Sequence, residues 1–379
     1  MENLYIYDTS NFVNYPVGGQ LTSVHNFLLF LTKKHFDFCS RVTLIGITNQ
    51  ADEVGKFGNV IIDGVKFRFL PVSFVDFSLS DVKSSIRLIY LKGLFKYSKL
   101  LFSERDTVHY LHTPEAYIQV RLFNPFAKVA VFSHGNFFNM IKGFRFYRDK
   151  KLLLWAFNIF LKFLLSSANL VFCLDEDSYF IYKKYNKSII KVDNSIQIPK
   201  FNKYKSLHDP IRLIYIGRLN KAKGIDGILD ALAKLQGKAI LSIVGDGEEK
   251  NNLIEYSKKK KVSELVNFEG FVEPNEVCKF LLNNDILIMN SEFEGKPMSI
   301  LEALSFGLPV VTTNVGGIGD ITKNNFDSVY TDGLSDSIVD AISLIKDNYS
   351  SYSNNALISI KKFDYLVIND TVFYHLLNL

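Results

Sequence analysis

Two glutamates separated by seven residues give the strongest chemical signal in the sequence. Glu294 and Glu302 belong to the stretch NSEFEGKPMSILEALSFGLPVVTTNVGG. Gly295 and Pro297 predict a loop that enters a helix near Ser299, because glycine favours loops and proline is tolerated only at the start of a helix. Glu294 would then lie in the loop and Glu302 near the first turn of the helix, both directed toward a ligand at the helix N-terminus.

The residues around these glutamates offer the groups that a nucleotide sugar needs. Free N–H groups at a helix N-terminus favour an anion such as a diphosphate, and a carboxylate accepts hydrogen bonds from vicinal hydroxyls of a sugar or ribose. The further predicted donor contacts in this stretch are Gly295, Lys296, Pro297, Met298 and Ser299. A glycosidase-like pair of carboxylates and a capped amphipathic helix without a ligand are the alternatives.

A second stretch, IYIGRLNKAKGIDGILDAL, predicts a strand, a turn at Gly217 and a helix. Arg218 and Lys223 stand at the turn and at the start of the helix, where two cations suit a diphosphate. Each cation at about 4 Å contributes about 4 kcal/mol of Coulomb attraction before desolvation. A helix N-terminus with incidental basic residues explains the same pattern.

A third stretch, LSIVGDGEEKNNL, places Gly245 directly after an apolar run. Glycine lets the backbone approach a ligand closely, but an ordinary strand-to-helix turn has the same residue types. The three stretches together, rather than this one alone, predict a site for a nucleotide diphosphate.

Short apolar runs that alternate with helix-length segments must position these residues. The runs are continuous, as expected of parallel strands covered on both faces. They predict strands at 4–8, 42–47, 66–70, 108–111, 129–133 and 170–174, and again at 213–216, 239–244, 266–268, 286–289, 309–312 and 328–330. A helix is predicted at 225–235, and the polar, proline-bracketed segment 198–210 predicts a connection between two domains.

The predicted fold is therefore α/β, with two Rossmann-like domains facing across a cleft. Residues 1–200 would form the first domain and residues 201–360 the second. The carboxyl ends of the strands would line the cleft, where such folds bind ligands. The sequence leaves open whether the last helix, about residues 361–379, packs back on the first domain.

The composition is consistent with two domains and argues against several other classes. The chain has 379 residues, of which 47% are hydrophobic, so it can bury two cores. Three scattered cysteines without metal-like spacing favour a reducing compartment. The first residues do not resemble a signal peptide, and the apolar run 152–165 is too short to span a bilayer. We therefore expect a cytoplasmic protein, and the mild net charge of +5 is consistent with no nucleic-acid partner.

Two basic and aromatic segments, 84–101 and 140–165, predict amphipathic helices. The plainer interpretation is that both helices pack on the sheet of the first domain. A compatible, more specific interpretation is a peripheral contact with anionic lipid at the inner face of the cytoplasmic membrane. Each basic residue near such a surface adds about 1 kcal/mol of attraction.

In order and spacing, these stretches resemble the retaining GT-B glycosyltransferases of family 4 (glycosyl transferases group 1), of the bacterial polysaccharide type. The resemblance covers most of the chain. Its most specific element is E-x7-E, preceded here by G-R-L-x3-K-G and followed by G-L-P-V-V-x-T and a Gly-Gly pair. The chain departs from the family pattern at Ser195, which follows a strand predicted at 191–193 where glycine is usual, and at Asp320, where glutamate is usual.

The resemblance implies that residues 1–200 bind the acceptor and that residues 201–360 bind the nucleotide sugar. It also implies a role for each matched residue of the second domain. Arg218 and Lys223 would hold the donor diphosphate. Glu302 would bind the ribose hydroxyls, and Glu294 would contact hydroxyls of the donor sugar.

Further matched residues would contact the nucleobase, the donor phosphate and the transferred sugar. Phe271 and Val272, in FEGFVEPNEV, would wall the nucleobase. Gly18 and Gly19, in PVGGQLTSVHNFL, would pass close to the donor phosphate and the acceptor. His134, in SHGN, would touch the transferred sugar; it follows an apolar strand at the end where ligands gather, although a lone histidine is more often structural.

The implied reaction transfers a hexose or N-acetylhexosamine from a nucleotide-diphosphate sugar, a UDP-sugar rather than a GDP-sugar, to a hydroxyl of a glycan or lipid-linked glycan in surface polysaccharide (O-antigen or capsule) synthesis. Arg218 and Lys223, with the helix N-terminus, would stabilise the leaving phosphate as a divalent metal does elsewhere. No Asp-x-Asp stands in a metal-like context, so no metal and no other cofactor are expected. The family's retaining route needs no protein nucleophile.

Two other functions remain compatible with the sequence. A sugar-nucleotide epimerase on the same fold would consume its donor without an acceptor. A non-catalytic partner subunit of a transferase would keep the fold but would be expected to lose the basic pair or the glutamates, which are all present.

Overall fold

The computed structural model describes residues 1–15, 19–77, 86–102, 104, 106–135, 137–140, 151–199, 206–273 and 276–379. Gly18 and parts of the predicted segments 84–101, 140–165 and 198–210 lie outside the described residues. Contacts divide the chain into two compact units. The first unit is Met1–Ser195 together with Tyr365–Leu379, and the second is Ile196–Asp364.

The first unit is built on one sheet whose described strands are parallel except at one edge. Its strands are β1 (Asn3–Tyr7), β2 (Val42–Thr48), β3 (Gly58–Ile62), β4 (Val65–Phe74), β5 (Thr107–Leu111), β6 (Lys128–Ser133), β7 (Leu170–Cys173) and β8 (Ile189–Lys191). Their order across the sheet is β3-β4-β2-β1-β5-β6-β7-β8, and only the β3–β4 pair is antiparallel. Strand β8 begins two residues earlier than predicted.

Helices cover both faces of this sheet, which explains the continuous apolar runs. In β1, Leu4 and Ile6 join one buried cluster, whereas Tyr5 and Tyr7 join the other. The helices are α1 (Gly19–Lys34), α2 (Ile86–Lys96), α3 (Ser98–Leu101), α4 (Ala116–Phe123), α5 (Phe137–Met140), α6 (Lys151–Ser167) and α7 (Glu176–Lys183), with 3₁₀ turns at Phe36–Arg41 and Ala51–Glu53. The C-terminal helix, Tyr365–Leu377, packs against α1 and places Phe373 in the core of this unit.

The second unit contains a sheet in which all described strands are parallel. Its strands are β9 (Ile211–Ile216), β10 (Ala239–Val244), β11 (Val266–Gly270), β12 (Ile286–Ile288), β13 (Val310–Thr313) and β14 (Ser328–Thr331). Their order is β11-β10-β9-β12-β13-β14. The helices are α8 (Ile225–Lys234), α9 (Lys250–Lys259), α10 (Val277–Asn283), α11 (Met298–Ser305), α12 (Ile318–Ile321), α13 (Ser335–Asp347) and α14 (Tyr349–Ser359), with 3₁₀ turns at Lys221–Lys223, Ser263–Leu265 and Ile360–Phe363.

Each sheet has a point where the chain reverses its direction of travel across the strands. This point lies between β1 and β5 in the first unit and between β9 and β12 in the second. In open parallel sheets, ligands bind outside the carboxyl ends of the strands at such a point. The loops that follow these four strands are therefore where a site is expected in each unit.

Candidate functional site

Two loops meet at the reversal point of the second sheet. The loop after β9 ends at Gly224, which has a φ of 57°, and a Cβ there would lie 2.3 Å from the carbonyl oxygen of Asn290 in the loop after β12. The Asn290 amide donates to the Gly224 carbonyl at 3.1 Å, and the backbone N–H of Glu292 donates to the Ala222 carbonyl at 2.8 Å. Glycine is required at this position because the two backbones touch.

The contact between these loops places Lys223 against Glu294. The Lys223 Nζ lies 2.5 Å from the Glu294 Oε1, and only 19% and 9% of the two side chains are exposed. The Ser291 hydroxyl donates to the same oxygen at 2.7 Å. Burial keeps salt from screening the pair, and the added hydrogen bond offsets part of its desolvation. The structure thus brings two predicted site residues together.

Arg218 has a different environment from Lys223. Its Nη2 lies 3.1 Å from the Glu248 Oε2, and 71% of the Arg218 side chain is exposed. Exposed ion pairs of this kind contribute little to stability, so a diphosphate can compete with Glu248 for this guanidinium. Glu248 belongs to the third predicted stretch, in the loop after β10, but its pairing with Arg218, 30 residues earlier in the chain, was not predicted.

The glycine of the third predicted stretch makes a contact between loops. Gly245 has a φ of 141°, and a Cβ there would lie 1.9 Å from the Gly217 carbonyl oxygen. Its N–H donates to the Gly270 carbonyl at 2.8 Å. The structure therefore shows Gly245 in close contact with the backbone of Gly217.

The Gly-Gly pair that follows β13 supports the loop that carries Glu294. Gly316 has a φ of 56°, and a Cβ there would lie 1.8 Å from the Glu294 carbonyl oxygen. The N–H of Gly317 donates to the Gly295 carbonyl at 2.9 Å. These contacts fix the backbone on both sides of the Glu294 side chain.

Helix α11 begins close to the predicted position, and Pro297 directly precedes its first residue, Met298. The Ser299 hydroxyl donates to the Met289 sulfur at 3.7 Å. The Lys296 Nζ is buried and lies 3.2 Å from the Asp320 Oδ2, so this ammonium is paired within the unit. Asp320, where the family pattern usually has glutamate, thus pairs with a predicted site residue.

The predicted ribose and base contacts lie at the same edge of the sheet. Glu302 is the fifth residue of α11, and burial raises the pKa of its carboxyl. Phe271 and Val272 directly follow β11; Phe271 is exposed and Val272 is half-buried. A buried carboxyl with a raised pKa gains from hydroxyl donors, because they stabilise its charged form.

The first unit brings two histidines together beside its own reversal point. The His134 Nε2, after β6, lies 2.7 Å from the His112 Nδ1, after β5. Burial lowers the pKa of His134 to about 3, with a smaller effect from the Arg87 cation, and burial also lowers the pKa of His112. His134 is therefore a neutral hydrogen-bonding group at neutral pH.

The predicted glycine contact of the first unit is described in part: Gly19 is the exposed first residue of α1.

We expect the stability of the first unit to fall as the pH is lowered from about 7 to about 5. Burial lowers the pKa of His109, like that of His134, to about 3, whereas in the unfolded chain both titrate near their ordinary value. The unfolded state therefore binds more protons below about pH 6.5, and each histidine removes about 1.4 kcal/mol of stability per pH unit. Urea unfolding at several pH values measures this slope. His109→Gln should reduce it, and a free energy of unfolding independent of pH in this range would contradict the assignment.

A cavity of about 390 Å³ lies elsewhere in the first unit. Its lining includes Asn49, Asp52, Phe57 and Phe77, and its described lining residues include no predicted site residue. The loop geometry, rather than this cavity, defines the candidate site.

The second unit matches a known family. Residues 197–359 match the family model described as "Glycosyl transferases group 1". Two relatives are similar over a part of the chain. Glycogen synthase of Mycobacterium tuberculosis is 32% identical over 118 residues, and the O-antigen biosynthesis glycosyltransferase WclY of Escherichia coli is 33% identical over 147 residues. These matches cover 30% and 37% of this chain, and they span 28% and 41% of the relatives.

The whole chain resembles a solved structure. The structure of HepE from Anabaena in complex with UDP superposes with a TM-score of 0.69 and 17% identity, covering 100% of both chains. The predicted α/β architecture, with two mostly parallel sheets as in GT-B glycosyltransferases, is confirmed. Within the described residues, no helix is both long and apolar enough to cross a bilayer.

Proposed function

Because residues 197–359 match the glycosyl transferases group 1 family, we propose that this chain transfers a hexose or N-acetylhexosamine from a nucleotide-diphosphate sugar to a hydroxyl of a glycan or lipid-linked glycan. We further propose membership of family 4, retention of the anomeric configuration and a role in surface polysaccharide synthesis. The role is supported by the likeness to WclY, an O-antigen enzyme. The UDP bound by HepE supports a UDP-sugar as the donor.

The observation that carries this proposal is the buried pair of Lys223 and Glu294 at the reversal point of the second sheet. Lys223 stands beside Gly224, at the N-terminus of α8, where the helix dipole also favours an anion. In the proposed reaction the bond between the anomeric carbon and the diphosphate oxygen breaks. Lys223 and Arg218 stabilise the charge that develops on the leaving diphosphate, while Glu294 holds Lys223 in place and accepts a hydrogen bond from the sugar.

The remaining proposed steps balance without a protein nucleophile. The acceptor oxygen bonds to the anomeric carbon on the face that the diphosphate leaves, and the acceptor proton passes to a diphosphate oxygen. Burial keeps His134 neutral, and its ring forms a hydrogen bond with the transferred sugar. Glu302 binds the ribose, and the exposed face of Phe271 stacks on the base.

Nucleotide binding tests this proposal directly. A ligand that binds only the folded state at 100 times its Kd stabilises it by about 2.7 kcal/mol, so UDP should raise the Tm by several degrees. GDP and ADP at the same concentration should raise it less. Equal shifts from all three would contradict the donor assignment, and no shift from any would contradict the site. The shift and the transfer rate should both persist in EDTA, since no metal is proposed.

We also propose that an apolar and basic surface of the first unit contacts an anionic membrane. The surface is formed by α2, α4 and α6, which are adjacent: Phe95 lies 6.1 Å from Phe123, and Tyr117 lies 6.0 Å from Phe163 between ring centroids. Trp155 is 62% exposed and Phe126 is 94% exposed. The other exposed apolar side chains of this surface are Leu88, Leu122, Leu152 and Ile159.

The charges of these three helices favour a lipid of negative charge. Their sequences contain Arg87, Lys92, Lys96, Arg121, Lys151 and Lys162 and no acidic residue. Arg87 is paired with Glu115, so the other five cations carry this argument. Groups of adjacent exposed apolar side chains often mark surfaces that contact a partner or a membrane. Aromatic residues suit the interface, and each cation near an anionic surface adds about 1 kcal/mol.

Vesicle sedimentation tests the membrane contact. We expect the chain to bind vesicles that contain phosphatidylglycerol and not vesicles of phosphatidylcholine alone, and high salt should weaken the binding. Trp155→Ser should reduce the bound fraction several-fold, because it removes an interfacial aromatic anchor. Leu344→Ser, at a position on α13 of the second unit that is 42% exposed, is the control. Equal loss in both variants would contradict the assignment of this surface.

An acceptor requirement separates transfer from epimerisation. If an isomerised nucleotide sugar accumulates in the absence of any acceptor, the protein is an epimerase and the proposed transferase function is wrong. If the chain binds no nucleotide but copurifies with a transferase, the partner-subunit interpretation is correct.

A further inference from the structure

The turn between β5 and α4 contains three buried polar atoms without a hydrogen-bond partner in the part of the chain that the structure describes. They are the His112 Nε2, the Thr113 Oγ1 and the Glu115 Oε2. His112 and Thr113 are almost completely buried, with exposures of 2% and 0%. Folded proteins pair more than nine-tenths of such groups, so three unpaired atoms within four residues need an explanation.

Several other polar atoms of this turn are paired, which holds its conformation. The Glu115 Oε1 accepts from the Arg87 Nη1 at 3.1 Å. The His112 Nδ1 is bonded to the His134 Nε2 at 2.7 Å, and the His112 ring stacks on Phe132 with centroids 5.3 Å apart. The Thr113 carbonyl accepts from the Ala116 N–H at 3.1 Å, which begins α4. The backbone and both flanking side chains are therefore fixed while the three atoms stay unpaired.

The position of the turn is that of a ligand site. It directly follows β5, one of the two strands at the reversal point of the first sheet. It also adjoins His134, the group proposed to contact the transferred sugar. A ligand held by this turn would therefore lie beside that sugar contact.

The chemistry of the turn selects a neutral ligand rich in hydroxyls. The Arg87 guanidinium beside Glu115 disfavours a metal ion or an amine, and the Glu115 carboxylate disfavours an anion. A hydroxyl both donates and accepts, so it can serve the carboxylate oxygen, the imidazole nitrogen and the threonine hydroxyl alike. Vicinal hydroxyls of a saccharide supply several such groups at once.

We propose that His112, Thr113 and Glu115 form the subsite that binds the saccharide hydroxyls of the acceptor. This inference rests on the proposed transferase function and adds to it the residues that recognise the acceptor. The unpaired atoms then represent a site that is complete only when the acceptor is bound.

Thr113→Val separates this proposal from a structural role, because valine keeps the shape of threonine without its hydroxyl. If the hydroxyl awaits a ligand, removing it relieves a buried unpaired group, and the Tm should stay equal or rise by about 2 °C. Acceptor binding should weaken by about three- to tenfold, as for one lost hydrogen bond. A purely structural hydroxyl would instead give a lower Tm and unchanged binding.

Two control variants calibrate these effects. Thr32→Val removes a buried hydroxyl of the same unit that is already bonded to the Leu29 carbonyl at 2.8 Å, so it should lower the Tm without changing acceptor binding. Ser328→Ala removes a buried unpaired hydroxyl in the second unit, so it should match Thr113→Val in Tm but leave acceptor binding unchanged.

Saturation-transfer NMR supplies the binding measurement, with the methyl glycosides of galactose, glucose and N-acetylglucosamine as probes and with UDP present. We expect transfer to at least one glycoside in the wild type and a weaker signal in Thr113→Val and Glu115→Gln. No transfer to any of the three, or equal transfer in wild type and variants, would overturn the subsite. The Tm shift caused by UDP is measured in parallel, so a failed donor site is distinguished from a failed acceptor subsite.

Discussion

Replacing Lys223 with alanine is expected to lower the turnover number for sugar transfer by about 10²–10³-fold, as for loss of one fixed group that stabilises transition-state charge. The ammonium is held by a buried carboxylate at 2.5 Å, so its position needs no reorganisation during the reaction. No other cation among the described residues is shown bonded to Glu294. Steady-state rates with a UDP-sugar donor and a saccharide acceptor measure the change.

The Lys223→Ala variant also removes the buried partner of Glu294, so two control variants are needed to separate loss of stability from loss of activity. Removing Lys223 takes away the cationic partner of Glu294, and breaking a buried ion pair in this way costs about 3–5 kcal/mol of stability. The double variant Lys223→Met, Glu294→Gln should recover much of that stability and none of the activity. Lys221→Ala changes an exposed lysine of the same 3₁₀ turn and should leave the turnover near wild type. Turnover in Lys223→Ala within about threefold of the wild type would remove Lys223 from the proposed mechanism.

Replacing Glu294 with glutamine is expected to lower kcat/KM for the nucleotide sugar by about 10- to 100-fold, the cost of a hydrogen bond to a charged group. Glutamine keeps the shape of the side chain, so the tight backbone contact at Gly316 is preserved. The affinity for UDP should change by less than about threefold, because the glutamine oxygen can still accept a hydrogen bond from the Lys223 ammonium and because UDP lacks the sugar that Glu294 is proposed to bind. Titration calorimetry with UDP and initial rates with the UDP-sugar separate the two quantities.

Glu292→Gln is the matched control for Glu294→Gln. Glu292 lies in the same loop and is exposed, and its N–H anchors the loop to Ala222 through the backbone. The substitution should leave both quantities unchanged. If Glu294→Gln weakens UDP binding as much as it slows transfer, Glu294 acts on the diphosphate and the proposed sugar contact is wrong.

Patterns that depend on local burial were predicted well from the sequence. Strand β10 has the predicted bounds, and most other predicted strands differ by one to three residues at an end. Strand β3 was missed because it lies at the sheet edge and its side chains alternate between exposed and buried. The Asp63-Gly64 turn that joins it to β4, with φ of 50° and 77°, is the signal that could have revealed it.

Patterns that depend on contacts between distant loops were predicted less well. The pairing of Arg218 with Glu248 and of Lys296 with Asp320 follows from strand order, which propensity and spacing do not specify. The contact of His112 with His134 is easier to predict, because each residue follows one of two neighbouring parallel strands. Predicted strand ends, combined with the usual order of a doubly wound sheet, place those two residues side by side.

The path of the chain determines when each unit can finish folding on the ribosome. The first unit includes the C-terminal helix, whose Val372, Phe373 and Leu376 fill its core, yet the whole second unit is synthesised before that helix. At about 5–20 residues per second, the apolar surface that receives the helix waits about 10–30 s for it. The second unit is continuous in sequence and can complete its fold first, so the first unit is the later of the two to be finished.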